Sequence, residues 1–132
     1  MQSREKIMNA ANTGIGMKAI GEDDWTPLPG FDGLTQVVLS GRLDEQAKTG
    51  RRTRLVRFAP GVSTQGTLVH DYYEEVYLVE GVLSPATQVA GDVAGEVAPA
   101  AAPAFVFRPP GTPHGPFLSE GGCVLLEVHY YA

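Results

Sequence analysis

The chain has 132 residues, 43% of them apolar, and a formal net charge of −5, which suits one domain with enough apolar surface to bury a core. The acidic balance argues against a general nucleic-acid binder, and no apolar run approaches the length of a membrane span. Sixteen Gly and ten Pro exceed what a helical bundle tolerates and suit a barrel with tight turns at its corners. The single cysteine, Cys123, can form no internal disulfide, and the opening MQSREKIMNA lacks the apolar stretch of a secretion signal. A cytoplasmic location is therefore expected.

Residues 1–24 read as an N-terminal arm. Gly14 and Gly16 interrupt any helix there, so residues 1–21 suit a mobile arm or a short strand that docks on a partner subunit. The globular part, residues 25–132, begins with a turn-rich block from Trp25 to Gly33. Short strands are predicted at 34–40, 54–58, 67–70, 75–80, 105–108 and 124–131, separated by turn signals such as Ala59-Pro60-Gly61 and Glu120-Gly121-Gly122. This is an all-β pattern, a closed barrel or a sandwich. Four cations fall between Lys48 and Arg54, and the run reads as a solvated hairpin. Residues 93–104, rich in Ala, Val and Pro, read as a variable hairpin between the two halves of the fold.

Two segments carry chemistry. One is His70-Asp71-Tyr72-Tyr73-Glu74 with Gly81 after six further residues; the other is Pro109-Pro110-Gly111-Thr112-Pro113-His114. Each puts its imidazole or carboxylate at the mouth of a predicted strand, and this is the set of groups that holds a divalent metal. Alternation points Leu68 and His70 the same way, and the turn after His70 brings Glu74 back beside them. Two neutral imidazoles and one carboxylate would leave up to three positions open on an octahedral ion.

The spacing within these two segments resembles the two motifs of the cupin superfamily. The first motif runs Gly, five residues, His-x-His, three or four residues, Glu, six residues, Gly. His70, Glu74 and Gly81 match it, and Leu68 stands where the first histidine would fall. In the second motif Pro109, Gly111 and His114 match, while Pro103 and Leu118 stand for its Gly and Asn. The resemblance covers roughly residues 53–131 and implies a single-domain cupin double-stranded β-helix, a jelly-roll barrel. It implies metal ligands at His70, Glu74 and His114, with iron, manganese, zinc or nickel as the ion, and it turns Glu74 rather than Glu75 inward. His129 shares a strand face with Glu127 and Tyr131 and offers a fourth nitrogen if that face is inward. Tyr72, Phe117, Arg57, Glu127 and Tyr131 are candidate pocket walls. Cys123 reads as a small buried hydrophobe without a base to activate it.

Within the cupins, the stretches 74–81 and 108–116 look like the small bacterial group that includes the cupin domains of anti-sigma factors and dioxygenases of diketones and aryl ketones. The likeness implies either a metal-dependent enzyme on a small oxygenated organic molecule or a non-catalytic ligand- or metal-sensing module. The enzyme is the expectation, since the first 24 residues hold neither Cys nor His to build a separate zinc-bearing sigma-binding unit. Members of the family commonly pair, which implies a homodimer through an apolar surface that includes Trp25, Tyr77 and Val79.

Overall fold

The computed structural model describes residues 14, 16–86 and 98–132. Residues 1–13 and 15 of the expected arm and residues 93–97 of the variable hairpin lie outside them. Among the described residues a 3-10 turn, Glu22–Asp24, precedes nine strands: β1 (Thr26–Pro27), β2 (Leu34–Asp44), β3 (Thr49–Phe58), β4 (Val62–Ser63), β5 (Tyr73–Pro85), β6 (Ala100–Ala101), β7 (Ala104–Arg108), β8 (Phe117–Ser119) and β9 (Cys123–Tyr130). All pairings are antiparallel, in the order β1-β2-β3-β9-β5-β8-β4, with β6 and β7 also on β5. The all-β jelly-roll expectation holds.

β5 is the spine of the barrel. Its first part pairs with β9 on one edge and β7 on the other, and its last residues pair with β6 and β8. The strand shifts register between Leu78 and Glu80 and then reaches Gly81 at φ +90°, where a Cβ would lie 2.3 Å from the Gly122 carbonyl oxygen. Only glycine fits that turn from one sheet to the other.

Alternation fills the interior. Val56 and Phe58 on β3, Val76 and Leu78 on β5, and Cys123 and Leu125 on β9 form one buried cluster with Leu28 and Leu34. Each large apolar side chain withdrawn from water contributes about 1.5–3 kcal/mol. Cys123 is buried as expected, and burial pushes its thiol pKa up.

The structure corrects three expectations. Residues 67–70 form no strand; Leu68 alone bridges to His114, because the Pro-rich second motif offers it only one paired residue. The four-cation run begins as the expected exposed hairpin, with Lys48 in the β2–β3 turn and Arg51 exposed, but it continues into β3, where alternation aims Arg52 and Arg54 at His129 and Glu127. Arg57 is no pocket wall, for it points outward, over the Trp25 ring at 4.2 Å and 2.9 Å from Glu22.

Candidate metal centre

The site is assembled from a bridge, a strand and a turn. Leu68 and His114 exchange both backbone hydrogen bonds, at 2.7 and 2.9 Å, and the Gly111 N–H donates to the His70 carbonyl at 2.8 Å. The Thr112 hydroxyl donates to the Pro109 carbonyl at 2.7 Å and tightens the turn. These bonds lock the loop carrying His70 to the loop carrying His114. Glu74, on β5, lies beneath both and is 5% exposed, while Glu75 faces outward and accepts from the Tyr130 hydroxyl at 2.7 Å.

His70, Glu74 and His114 therefore converge as their spacing implied. Their ligand atoms lie within 4.8 Å of one another, with His70 Nε2 3.5 Å and His114 Nε2 3.7 Å from Glu74 Oε1. A backbone carbonyl can only accept, so the contacts of His114 Nδ1 to the Thr112 oxygen at 2.9 Å and of His70 Nδ1 to the Tyr72 oxygen at 3.3 Å require Nδ1–H on both rings. Both Nε2 lone pairs are left facing the carboxylate. Tyr72 stacks on His70 at 4.0 Å, 4° from parallel, and fixes its plane.

His70 Nε2 is buried and has no hydrogen-bond partner among the described residues. A buried acceptor without a donor is costly, and a cation is the partner that its lone pair, the His114 lone pair and one carboxylate oxygen all accept. The donor set thus fits a divalent ion. Burial pushes the His114 pKa down and favours the neutral form that a ligand needs.

His129 has the opposite tautomer. Its face is inward, as one reading required, and it is fully buried. Arg52 presents Nε at 3.2 Å and Nη2 at 2.8 Å to His129 Nδ1; a guanidinium has only donors, so Nδ1 accepts and Nε2 carries the proton. That proton is donated to Glu74 Oε2 at 2.8 Å. His129 therefore orients the carboxylate and has no lone pair turned toward the other two imidazoles. Burial would raise the Glu74 pKa, yet the His129 hydrogen bond and the Arg108 charge outweigh it and hold the carboxyl well below its usual range.

Two ion pairs complete the polar end: Arg54 to Glu127 at 2.9 Å, with Arg54 also donating to Gln36 at 3.1 Å, and Arg108 to Glu74 Oε1 at 2.9 Å. A cavity of about 670 Å³ opens beside them, lined by Leu68, Tyr72, Glu127 and Phe117 among others. Tyr131 does not line it; its hydroxyl donates to Asp71 at 2.8 Å. Of the functional side chains, sequence reasoning missed Arg52, Arg54 and Arg108. Counting back in twos from Phe58 along β3 would have pointed to the first two.

A jelly-roll barrel with histidines and a glutamate converging at one end of its cavity has the architecture of a cupin. The chain belongs to the family of ChrR cupin-like domains, whose model matches residues 16–131. Among solved structures it is similar to an acetylacetone dioxygenase from Acinetobacter johnsonii, at 20% identity and a TM-score of 0.64, covering 90% of this chain and 76% of that one. It is also similar to KdgF from a Halomonas species, at 17% identity and a TM-score of 0.63 over 89% of this chain and 96% of the other. An RmlC-like cupin from Shewanella frigidimarina is 21% identical, with a TM-score of 0.62 and coverage of 86% and 89%. At these identities the likeness is one of fold. No curated protein matches the sequence. No helix among the described residues is long and apolar enough to cross a membrane.

Proposed function

We propose that this chain is a metal-dependent enzyme acting on a small oxygenated organic molecule such as a diketone or an aryl ketone. His70, Glu74 and His114 would hold one divalent ion, with iron, manganese, zinc and nickel all compatible with the donor set. The observation that carries the reading is the pair of Nδ1-anchored imidazoles whose free Nε2 atoms face one carboxylate oxygen beside a cavity. A bound ion of this kind supplies Lewis acidity toward a carbonyl or enolate oxygen. The chain's own groups do the rest: His129 and Arg108 hold the Glu74 carboxylate in place, and the apolar walls accept the hydrocarbon part of the substrate and exclude water. The acetylacetone dioxygenase among the fold relatives supports the choice of ketones for a first panel.

The test is elemental analysis of protein purified without added metal, followed by mass spectrometry of diketones, aryl ketones and sugar acids incubated with iron-, manganese- and zinc-loaded protein. Turnover of one compound only in a loaded sample is the expected result. Saturable binding of an unaltered compound would instead support a non-catalytic sensing module, the second reading, which draws on membership in the ChrR cupin-like family. The proposal includes a homodimer. Tyr77, Val79, Phe105 and Phe107 on β5 and β7 are all more than 40% exposed, an apolar surface suited to burial against a second copy. Light scattering should give twice the chain mass; a monomer at micromolar concentration would rule the dimer out.

A further inference from the structure

The cavity has two chemically distinct ends, and the polar end holds one cation whose bonding is incomplete. Arg108 ends β7 directly opposite Glu74 in register. Its side chain is only 15% exposed and lines the cavity. Its guanidinium lies 5.6 Å from the Phe117 ring centre and donates to Glu74 Oε1 at 2.9 Å. Glu74 is the only hydrogen-bond acceptor it meets among the described residues. A guanidinium has five N–H donors in a planar fork, so Arg108 keeps donors for a guest.

Charge points the same way. The buried ionised groups lining the cavity are Arg54, Arg108, Glu74 and Glu127, which cancel as two cations against two anions. Glu45 also lines it but is exposed to water. His70 and His114 each direct a lone pair inward, so they add no charge. A divalent cation held by them and Glu74 would leave the polar end with two positive charges unopposed. The Arg108 and Glu74 side chains are only 15% and 7% exposed, so solvent screens that charge only in part. A neutral ketone leaves that imbalance standing; an anionic oxygen reduces it.

We propose that the cavity takes a small organic anion, a carboxylate or enolate with an aryl or alkyl tail, and that Arg108 is the specificity residue that meets its negative oxygen. The tail lies against the apolar end. The inference rests on the metal reading above and narrows it from oxygenated molecules in general to anionic ones. Arg108 acts by charge and by its fork, so lysine replaces it only in part.

The experiment uses the full chain loaded with zinc, which has no redox chemistry with which to consume a probe. Zinc content is measured on every sample, and binding of phenylglyoxylate, its neutral amide and pyruvate is followed by calorimetry. Phenylglyoxylate should bind at least about tenfold more tightly than the amide, the size of one hydrogen bond between charged partners. Pyruvate, which keeps the charge and lacks the ring, should also bind more weakly than phenylglyoxylate. In samples that hold one zinc per chain, Arg108→Gln should weaken phenylglyoxylate binding by more than it weakens amide binding and so remove most of the preference for the anion, and Arg108→Lys should retain part of the preference, which covers the case of a misfolded glutamine variant. Equal binding of acid and amide by protein holding one zinc per chain, no binding of either, or an undiminished preference in Arg108→Gln would overturn the role of Arg108 and leave the metal site standing. Protein that retains no zinc would overturn the metal reading itself, and this inference with it.

Discussion

The two ends of the cavity share three strands, and on those strands they differ in which rows of the sheet they occupy. Across β3, β9 and β5 the inward residues pair in rows: Arg52 with His129 and Glu74, then Arg54 with Glu127 and Val76, then Val56 with Leu125 and Leu78. Moving four residues along each strand turns the charged first row into an apolar one. At the apolar end shape alone matters and neighbours can adjust. At the polar end every donor needs its acceptor, because an unpaired buried charge costs more than a lost contact. A binding site and a core can therefore share strands without sharing tolerance to change.

Breaking the first row should have the largest effect. Among the described residues Glu74 accepts the hydrogen bonds of His129 Nε2–H and of Arg108, so Glu74→Ala takes that acceptor from both donors and removes the carboxylate grouped with His70 and His114. Metal retention should fall beyond detection by equilibrium dialysis, and stability should drop by about 3–5 kcal/mol in urea unfolding. Val56→Ala, two rows down, should cost about 2–4 kcal/mol through lost packing and leave metal affinity unchanged. If both substitutions weakened metal binding alike, the two ends would not be independent.

The match between expectation and structure follows the same division. His70, Glu74 and His114 were legible because motif spacing carries them, and Glu74 rather than Glu75 was legible from the six-residue interval to Gly81. The core strands were legible from turns and β-branched runs. What escaped were the partners. Arg51 and Arg52 look alike in a charge run, yet β3 carries Arg51 outward, where it donates to Thr53, and Arg52 inward to His129. Only the pairing of β3 with β9 decides which arginine is buried, and that pairing joins residues 77 positions apart. His129 was left open for the same reason: both the direction of its face and its tautomer depend on the pairing with β3 and on Arg52.

Substituting His129 sharpens the comparison at lower cost. Glutamine can donate to Glu74 Oε2 as His129 does, whereas leucine cannot. His129→Leu should weaken metal binding by about tenfold or more and His129→Gln by clearly less, as measured with a competing chelator. Equal losses would mean that the ring's volume matters and its proton does not. A smaller gain is expected from Leu68→His. Leu68 lines the cavity and is bridged to His114, so a histidine there should add a nitrogen and tighten binding by about fivefold, under 1.4 kcal/mol. Unchanged affinity would show that the position does not reach the ion.

The smallest expected effect is on pH dependence in the metal-free protein. Burial holds the pKa values of His129 and His114 below their ordinary 6.5, so near pH 6 the fold keeps both neutral while the unfolded chain begins to take up protons. The unfolded state then binds more protons than the native one, and stability falls as pH drops below about 6.5, by at most about 1.4 kcal/mol per pH unit for each group. Glu74 adds a second, lower step. Its carboxyl is held down in the fold, so its contribution is complete above its ordinary 4.5 and is lost as pH falls below that value. Thermal melts at pH 7.5, 6.5, 5.5 and 4.5 should therefore show a gradual decline that begins between the first two steps, and His129→Gln, which removes one titrating ring, should make the decline from 6.5 to 5.5 shallower. A melting temperature that stays level across that interval would mean both imidazoles take up protons as readily in the fold as in the open chain, which their burial forbids.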